Sequence, residues 1–232
     1  MPRKPCEESK TKQKRGVIEE NYKAWIQAQE YSSNRGTATT FHDWKTGREM
    51  HFLSIGEFTV YLIMRYRDDV EDIYERFPLD IKTTNKIAES LGYKPAGNGK
   101  KAMTTDLVVK LINGQYIAYS IKPSIESLDP VKHKRTVEKL YIEMLYWKSK
   151  GIPWHIKFSS KVNRKTAMNI KNCAEFWNIE NVSTKEDLLR YLIIHKKVEA
   201  DLENTIHFAE AAESIITDEI FSGFLKQKET KK

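Results

Sequence analysis

The chain has 232 residues, enough for one well-packed core and a small second domain. Hydrophobic residues make up 40% and charged residues 31%, a balance that excludes a disordered chain and is typical of a globular protein. No apolar run approaches the roughly 18 residues that a membrane-spanning helix needs, so no membrane span is predicted. The net charge of +7 favours polyanionic partners such as nucleic acids.

Cysteine and histidine usage argues against a zinc site. The two cysteines, Cys6 and Cys173, lie far apart in sequence, and the six histidines are scattered. Neither a CxxC nor an HExxH spacing is present, so the sequence predicts no zinc centre and no disulfide. The N-terminal segment is basic but has no apolar stretch of the signal-peptide type, and a cytoplasmic location is expected.

The N-terminal quarter of the chain gives weak patterns. Residues 1–16 carry six Lys or Arg residues and no apolar periodicity, which predicts a disordered basic arm. Residues 17–31 are predicted to be helical, with Trp25 and Ile26 as anchors. Residues 33–51 are predicted to be irregular, with a turn at residues 45–48.

Clearer elements follow. Ser54 and Glu57 have the spacing of a capping box before an apolar run, which predicts a helix over residues 55–67. Residues 70–78 alternate in polarity and end at a proline, which indicates a strand. A short helix is predicted around residues 85–91, followed by an exposed loop rich in glycine and lysine.

Two β-rich runs, residues 105–112 and 115–122, flank an Asn-Gly pair and predict a hairpin. A two-residue loop would mix polar and apolar side chains on both faces. A three-residue loop, with Gly114 in the left-handed region, places Asp106 opposite Ser120 and sorts the faces. One face then carries Leu107, Val109, Leu111, Ile117, Tyr119 and Ile121. The other face carries Asp106, Ser120 and Lys122.

A helix is predicted from Pro130 to about residue 150, ended by Gly151, and a strand over residues 154–158. A strand, helix, strand order predicts a parallel crossover. Residues 17–160 therefore form an α/β domain with a mixed sheet flanked by helices.

The remaining residues, 161–232, are predicted to form a small helical domain. Its helices are expected at residues 164–177, 185–195, 202–212 and 218–226. Ser183 is the expected N-cap of the second of these helices, with Glu186 completing a capping box.

The hairpin and the helix before it carry a candidate set for phosphodiester hydrolysis, which needs a cation and an activated water. Glu57 and Asp106 are candidate carboxylate ligands for Mg²⁺, and the carbonyl of Ile121 is a third oxygen. Lys122 can orient the water or stabilise charge on the phosphate. Taken singly, each has a plainer interpretation: a helix cap for Glu57, a strand start for Asp106 and a solvated strand end for Lys122.

The order Glu57, Asp106, then Ser120-Ile121-Lys122 resembles the E…D…(E/Q)xK signature of restriction-like nucleases. The segments FLSIGEFTVYL, VEDIYERFPL, MTTDLVV, YSIKP and KRTVEKLYIEMLYWKSKGIPWHI, with the KTGR turn, resemble the TnsA endonucleases of cut-and-paste transposons in the same order. The resemblance covers roughly residues 20–180.

This resemblance implies a restriction-endonuclease-like core with Glu57, Asp106 and Lys122 at catalytic positions. It implies Mg²⁺ as the cofactor, with Mn²⁺ able to substitute. It also implies cleavage of double-stranded DNA at the 5′ ends of a transposon, beside a TnsB-like transposase that processes and joins the 3′ ends and a TnsC-like ATPase. The helical C-terminal domain would then be a reduced winged helix.

The sequence departs from the family pattern at Ser120, where Gln or Glu is usual. The hydroxyl is either a ligand acting through water or a bystander whose role passes to a backbone carbonyl. Two alternatives stay open: a stand-alone restriction-like nuclease or resolvase, and a non-catalytic DNA-binding scaffold with a decayed site. The basic segments at residues 3–15 and 161–171 are the candidate DNA contacts outside the site.

Overall fold

The structure is a computed structural model that describes residues 6–18, 21–30 and 37–229. The chain divides into two compact units. The first comprises Met1–His42 and Arg48–Val162, and the second comprises Asp43–Gly47 and Asn163–Lys232. None of the described helices is both long enough and apolar enough to cross a membrane.

The first unit is a mixed α/β domain. Its helices are α1 Glu7–Lys12, α2 Ile55–Arg65, α3 Ile81–Ser90 and α4 Lys134–Ser149. Its strands are β1 Thr39–His42, β2 Glu49–Phe52, β3 Val70–Pro78, β4 Thr104–Leu111, β5 Tyr116–Lys122 and β6 Trp154–Phe158. Strands β3 to β6 form one sheet in that order, antiparallel up to β5 and parallel between β5 and β6. The predicted mixed sheet flanked by helices is therefore confirmed.

The β4–β5 hairpin has the register of the three-residue loop. Leu107 pairs with Tyr119, and Leu111 donates its N–H to the carbonyl of Gln115 at 2.8 Å. Gly114 has φ +81°, the left-handed conformation that this loop needs. The register is the predicted one, although both faces of β4 are buried, since Leu107, Val108 and Val109 are each at most 1% exposed.

Helices α3 and α4 cover one face of the sheet. Val108 and Ala118 lie on that face, and glycine ends α4 as predicted, since Gly151 has φ +67°. The buried cluster comprises Tyr22, Tyr74, Leu79, Ala88, Met103, Val108, Ala118, Ile142, Tyr146 and Trp147. The cluster anchors α4 along β4 and β5, which carry the candidate site residues.

Helix α2 packs against β2, β3 and β5. A Cβ at Gly56 would lie 2.8 Å from Oγ of Ser159, so only glycine lets the first turn of α2 approach the chain just after β6 this closely. The approach holds the beginning of α2, and with it Glu57, near the end of the parallel strand pair.

The N-terminal predictions were wrong where the structure describes those residues. The segment predicted to be a disordered arm contains α1, and its Arg15 forms a buried ion pair with Glu30 at 2.7 Å. Residues 1–5 lie outside the described residues. The arm is ordered because its polar residues bond to the core, as when Glu7 accepts the N–H of Ala102 at 2.9 Å.

Residues 17–31 do not form the predicted helix. Within the described part the regular element is a short 3-10 turn, Ala28–Glu30, while residues 19–20 and 31 lie outside. The N–H of Trp25 donates to the carbonyl of Arg76 at 3.3 Å, so tertiary pairing replaces helical hydrogen bonds. Trp25 is buried, as the prediction had it, and Ile26 is half-buried.

The segment predicted to be irregular, residues 33–51, contains the antiparallel pair β1–β2. Residues 33–36 of it lie outside the described part. The predicted turn before Arg48 is present, because an Oδ1 atom of Asp43 accepts the N–H groups of Lys45 and Thr46 at 2.9 and 2.8 Å. The prediction missed the strands because they are short and pair only with each other.

The described residues of the second unit form helices and no strand. These are α5 Arg164–Ala174, α6 Lys185–Ile194, α7 Phe208–Ile215 and α8 Asp218–Glu229. The helix predicted to begin at residue 202 begins at Phe208. The N-cap of α6 is Thr184 rather than the predicted Ser183, and Asp187 completes the capping box instead of Glu186. The register moved by one residue because Asp187 accepts hydrogen bonds from both Ser183 and Thr184.

Candidate active site

Glu57 lies in the first turn of α2 and is held by the cap of its own helix. Its N–H donates to Oγ of Ser54 at 3.2 Å, and its Oε1 accepts from the same hydroxyl at 3.2 Å. Its Oε2 accepts the N–H of Leu53 at 3.0 Å. Glu57 is therefore a helix-capping residue, as the plainer interpretation had it. The same hydrogen bonds fix its carboxylate, which leaves the proposed role in the site open to it.

Asp106 on β4 is fixed from the neighbouring strand. Its Oδ2 accepts the N–H of Ile121 at 2.6 Å, and Nζ of Lys122 lies 3.7 Å from the same oxygen. Lys122 also donates to the carbonyl oxygen of Ile121 at 2.9 Å. The structure thus brings together Asp106, the Ile121 carbonyl and Lys122, three of the predicted groups.

Arg76 on β3 joins the two carboxylates and was absent from the sequence interpretation. Its guanidinium donates to Oδ1 of Asp106 at 2.5 Å and to Oε1 of Glu57 at 3.0 Å. Glu57 therefore lies beside Asp106 rather than in bulk solvent, with a single cation bridging them. No sequence signal marks Arg76, because an arginine in a strand is usually a solvated residue.

The backbone at Arg76 is unusual for a strand. Arg76 has φ +51°, a conformation that L-residues other than Asn and Asp seldom adopt. Tyr74 and Phe77 both contact the core beneath α4, although residues three apart in a regular strand face opposite ways. Arg76 lies at this change of face, opposite Asp106 in the β3–β4 register. The irregularity directs its side chain to the two acids.

A further acid, Glu143, reaches the site from α4. Its Oε1 accepts the hydroxyl of Thr105 at 2.7 Å, and the indole N–H of Trp147 donates to the same hydroxyl at 2.7 Å. Burial, with a smaller contribution from the charge of Asp106, raises the pKa of Glu143 to about 7, although the hydrogen bond from Thr105 opposes the shift. The sequence signal was an acid spaced with the buried Leu140 and Trp147 on one helix face, and it was missed.

Ser120 lies between these groups. Its hydroxyl is buried and makes no hydrogen bond of standard geometry within the described residues. It is near enough to Glu143 to lower the pKa of that carboxyl. A buried polar atom without a partner is rare and indicates a place for water or a ligand.

Burial also raises the pKa of Glu57, with Arg76 opposing the effect and the charge of Asp106 adding to it. Two adjacent carboxylates in a poorly solvated place repel each other, so both ionise readily only beside a cation. Arg76 provides that cation here.

Part of this site lines a cleft of about 340 Å³. Its walls include Asp106, Ser120, Lys122 and Glu143, together with Lys101 and Lys139. Lys139 is an exposed residue of α4 that borders the cleft. Partial desolvation lowers its pKa, and the charges of Arg135 and Lys122 lower it further. The cleft is therefore lined by both acidic and basic side chains.

The donor set fits a hard divalent cation better than zinc. Among the described residues no three His, Cys, Asp or Glu side chains form a ready-made metal cluster. Mg²⁺ needs no such cluster, because it usually takes one or two carboxylates and fills its shell with water. Glu57 and Asp106 could provide two such carboxylates and Ile121 a carbonyl oxygen, and the Ser120 hydroxyl is buried on the same hairpin.

A mixed sheet with an acid on one hairpin strand, a lysine on the next and a second acid on the flanking helix defines a restriction-endonuclease-like nuclease fold. The model of the TnsA-like endonuclease N-terminal domain matches residues 67–158, a range that includes Asp106, Ser120 and Lys122 but not Glu57.

A relative extends the likeness beyond that range. The transposon Tn7 transposition protein TnsA of Escherichia coli is 31% identical over 191 residues, covering 81% of this chain and 68% of that protein. The chain belongs to the TnsA family of transposon endonucleases.

Proposed function

We propose that this chain is the Mg²⁺-dependent DNA endonuclease subunit of a heteromeric cut-and-paste transposase, and that it cuts at the 5′ ends of the transposon. The observation that carries the proposal is the convergence of Glu57, Asp106 and Lys122, of which Asp106 and Lys122 line a cleft. Family membership supports the same reaction.

Each residue has a distinct task in this proposal. Mg²⁺, when bound, would neutralise charge that develops on the phosphate and favour ionisation of the attacking water. Glu57 and Asp106 would hold the ion, and the carbonyl of Ile121 would offer a third oxygen. The ammonium group of Lys122, next to Asp106, stabilises charge on the phosphate and orients the water. Mn²⁺ would substitute because it accepts the same oxygen ligands.

Glu143 compensates for the short side chain of Ser120. Ser120 cannot reach as far as the Gln or Glu that is usual at this position. The carboxyl of Glu143 lies beside the Ser120 hydroxyl and is fixed by Thr105. This arrangement favours an active nuclease over a scaffold with a decayed site, because the missing oxygen is supplied from α4.

Double-stranded DNA is the proposed substrate. Lys101 and Lys139 on the cleft wall suit the sugar-phosphate backbone, to which a basic residue contributes affinity without sequence preference. By its membership of the TnsA family, the chain is proposed to act with a TnsB-like transposase, which processes and joins the 3′ ends, and with a TnsC-like ATPase.

Strand-resolved cleavage of DNA that carries the transposon's own ends tests the proposal. With Mg²⁺ and both partner proteins, the wild-type chain is expected to produce 5′ cuts and Lys122→Ala none, while 3′ processing continues in both. Lys110→Ala is the matched control, because Lys110 lies on the same hairpin but pairs with Glu71 at 2.5 Å, away from the site. Equal 5′ cutting by wild type and Lys122→Ala would contradict the proposal, and cutting without partners would favour a stand-alone nuclease.

A further inference from the structure

Arg76 occupies the oxygen atoms that the proposed metal ion needs. Its guanidinium bonds to Oδ1 of Asp106 and Oε1 of Glu57, and only 12% of its side chain is exposed. The other oxygens of these acids also have partners, namely the N–H of Ile121 for Asp106 and the N–H of Leu53 for Glu57. The two carboxylates therefore lie in a closed set of hydrogen bonds centred on one cation.

A divalent ion and this guanidinium cannot share the place without strong repulsion. Both are cations, both bind carboxylate oxygens, and the surroundings are poorly solvated, so their mutual repulsion is little screened. Lys122 adds another positive charge 3.7 Å from Asp106. An ion that enters has to displace the guanidinium from at least one carboxylate.

The backbone conformation of Arg76 indicates that the fold enforces the position of its side chain. A φ of +51° at an arginine within a strand is strained, and such strain persists only where the surrounding structure enforces it. The N–H of Trp25 bonds to the carbonyl of Arg76 at 3.3 Å and contributes to that restraint. Strained residues of this kind cluster at functional sites.

We propose that Arg76 is a positioning residue of the active site, a built-in cation that holds Glu57 and Asp106 together without metal and competes with the divalent ion for their oxygens. The proposal rests on the proposed metal-dependent function. In consequence Arg76 weakens metal binding by the isolated subunit, so that metal loading is linked to movement of its side chain.

Mn²⁺ binding by the full-length chain without DNA tests the competition, with the free ion measured by electron paramagnetic resonance. Arg76→Gln removes the charge and keeps a polar side chain, and it is expected to bind Mn²⁺ at least about tenfold more tightly than wild type. Arg76→Lys keeps the charge and is expected to bind as weakly as wild type. Arg67→Gln is the control for loss of an arginine, because Arg67 pairs with Asp69 in an exposed place, and it should match wild type.

A second measurement gives a readout independent of affinity. In a metal chelator the thermal midpoint of Arg76→Gln is expected to fall below that of wild type, because the two acids lose their shared cation. Mn²⁺ should restore it, and should raise the wild-type midpoint by less. Circular dichroism of both chains first establishes that they are folded, and Arg76→Met, which also removes the charge, serves in place of Arg76→Gln if the latter is not.

The outcomes separate this proposal from the proposed function. If Arg76→Gln binds Mn²⁺ no more tightly than wild type, while Asp106→Asn abolishes binding, the metal site stands and the role of Arg76 is refuted. Equally tight binding by Arg76→Lys and Arg76→Gln refutes competition by charge. Absence of Mn²⁺ binding from wild type and both variants refutes the metal site and the competition together.

Discussion

Two arginine–carboxylate clusters lie back to back on β3, since Glu75 belongs to one and Arg76 to the other. In the first, Arg48 donates to Oε2 of Glu75 at 2.8 Å and to the carbonyl of Ile73 at 2.6 Å. Its guanidinium also stacks on the ring of Tyr22 at 5.1 Å. In the second, Arg76 bridges two acids that belong to different elements. The chemistry is the same, but the surroundings differ.

Access to the cleft distinguishes the two clusters. Only 1% of the Glu75 side chain is exposed, and its Oε1 accepts the N–H of His51 at 3.2 Å, so this cluster is closed by protein. Asp106, in contrast, lines the cleft together with Lys122. A buried ion pair is therefore not itself a sign of function: the Arg48 cluster joins β2 to β3, whereas Asp106 of the Arg76 cluster lines a cleft.

The largest expected effect separates the clusters by activity. Asp106→Asn is expected to lower 5′ cleavage by about 10³-fold or more, since it removes a charge that serves the transition state. Glu75→Gln, the matched change in the closed cluster, should leave cleavage within about threefold of wild type, because surrounding packing keeps the site in place. DNA binding by Asp106→Asn, measured by filter retention, should persist. Comparable losses of cleavage in both variants would erase the distinction.

Stability, in contrast to activity, should depend on the closed Arg48–Glu75 cluster. At pH 8, above the raised pKa of Glu75, Arg48→Met leaves a buried carboxylate without its guanidinium and is expected to cost about 3–5 kcal/mol of unfolding free energy. Urea denaturation in a metal chelator measures this. Adding Mn²⁺ should not restore the loss, because no ion is expected to reach Glu75. Recovery of Arg48→Met by Mn²⁺ would show that the closed cluster also binds metal.

The free energy of unfolding should also depend on pH through Glu75 of the closed cluster. Burial raises the pKa of Glu75 to about 7, against the opposing effect of Arg48. Between the ordinary glutamate pKa and this value the folded state retains a proton that the unfolded state has lost, so stability falls as pH rises. The loss is on the order of 3 kcal/mol between pH 4.5 and 7.

Glu75→Gln has no carboxyl to titrate at this position, so its unfolding free energy should lack this loss. The amount by which the variant is less stable than wild type should therefore shrink, or change sign, from pH 5 to pH 8. Urea midpoints at the two pH values measure the change. Because Glu143 is present in both chains, its titration cancels in the difference. Parallel pH profiles for wild type and Glu75→Gln would contradict the raised pKa.

The smallest expected effect concerns Ser120. Ser120→Gln is expected to keep or raise 5′ cleavage, because it restores the side chain that is usual in the family. Ser120→Leu should lower cleavage by about tenfold, since it fills the place of a polar group next to the metal ligands. Equal activity in wild type and both variants would show that the side chain is unused and that the Ile121 carbonyl, Glu143 and water complete the shell.

The part of the site that could be predicted from sequence is the part set by local rules. The capping geometry of Ser54 and Glu57, and the hairpin register that aligns β4 with β5, depend on short-range patterns. These patterns also positioned Asp106 and Lys122 within one site. The helix, strand, hairpin, helix, strand order followed from the same periodicities.

The remainder depends on contacts between distant residues. Arg76 has a strand-like sequence context, and only the fold places it opposite Asp106 with a left-handed backbone. Glu143 resembles any acid on an amphipathic helix until α4 docks on the sheet. The N-terminal segment was wrongly predicted for the same reason. Arg15 pairs with Glu30, and the N–H of Trp25 bonds to the carbonyl of Arg76, so both residues are held by partners that no local sequence pattern indicates.

The most direct test of the contrast between the clusters is the anomalous diffraction of crystals grown with Mn²⁺. A manganese peak is expected beside Glu57 and Asp106, bound directly or through water, with the Arg76 guanidinium moved away from at least one of them. No peak is expected near Glu75. A manganese peak at the Arg48 cluster, or an unchanged Glu57–Arg76–Asp106 bridge with manganese bound elsewhere, would contradict it.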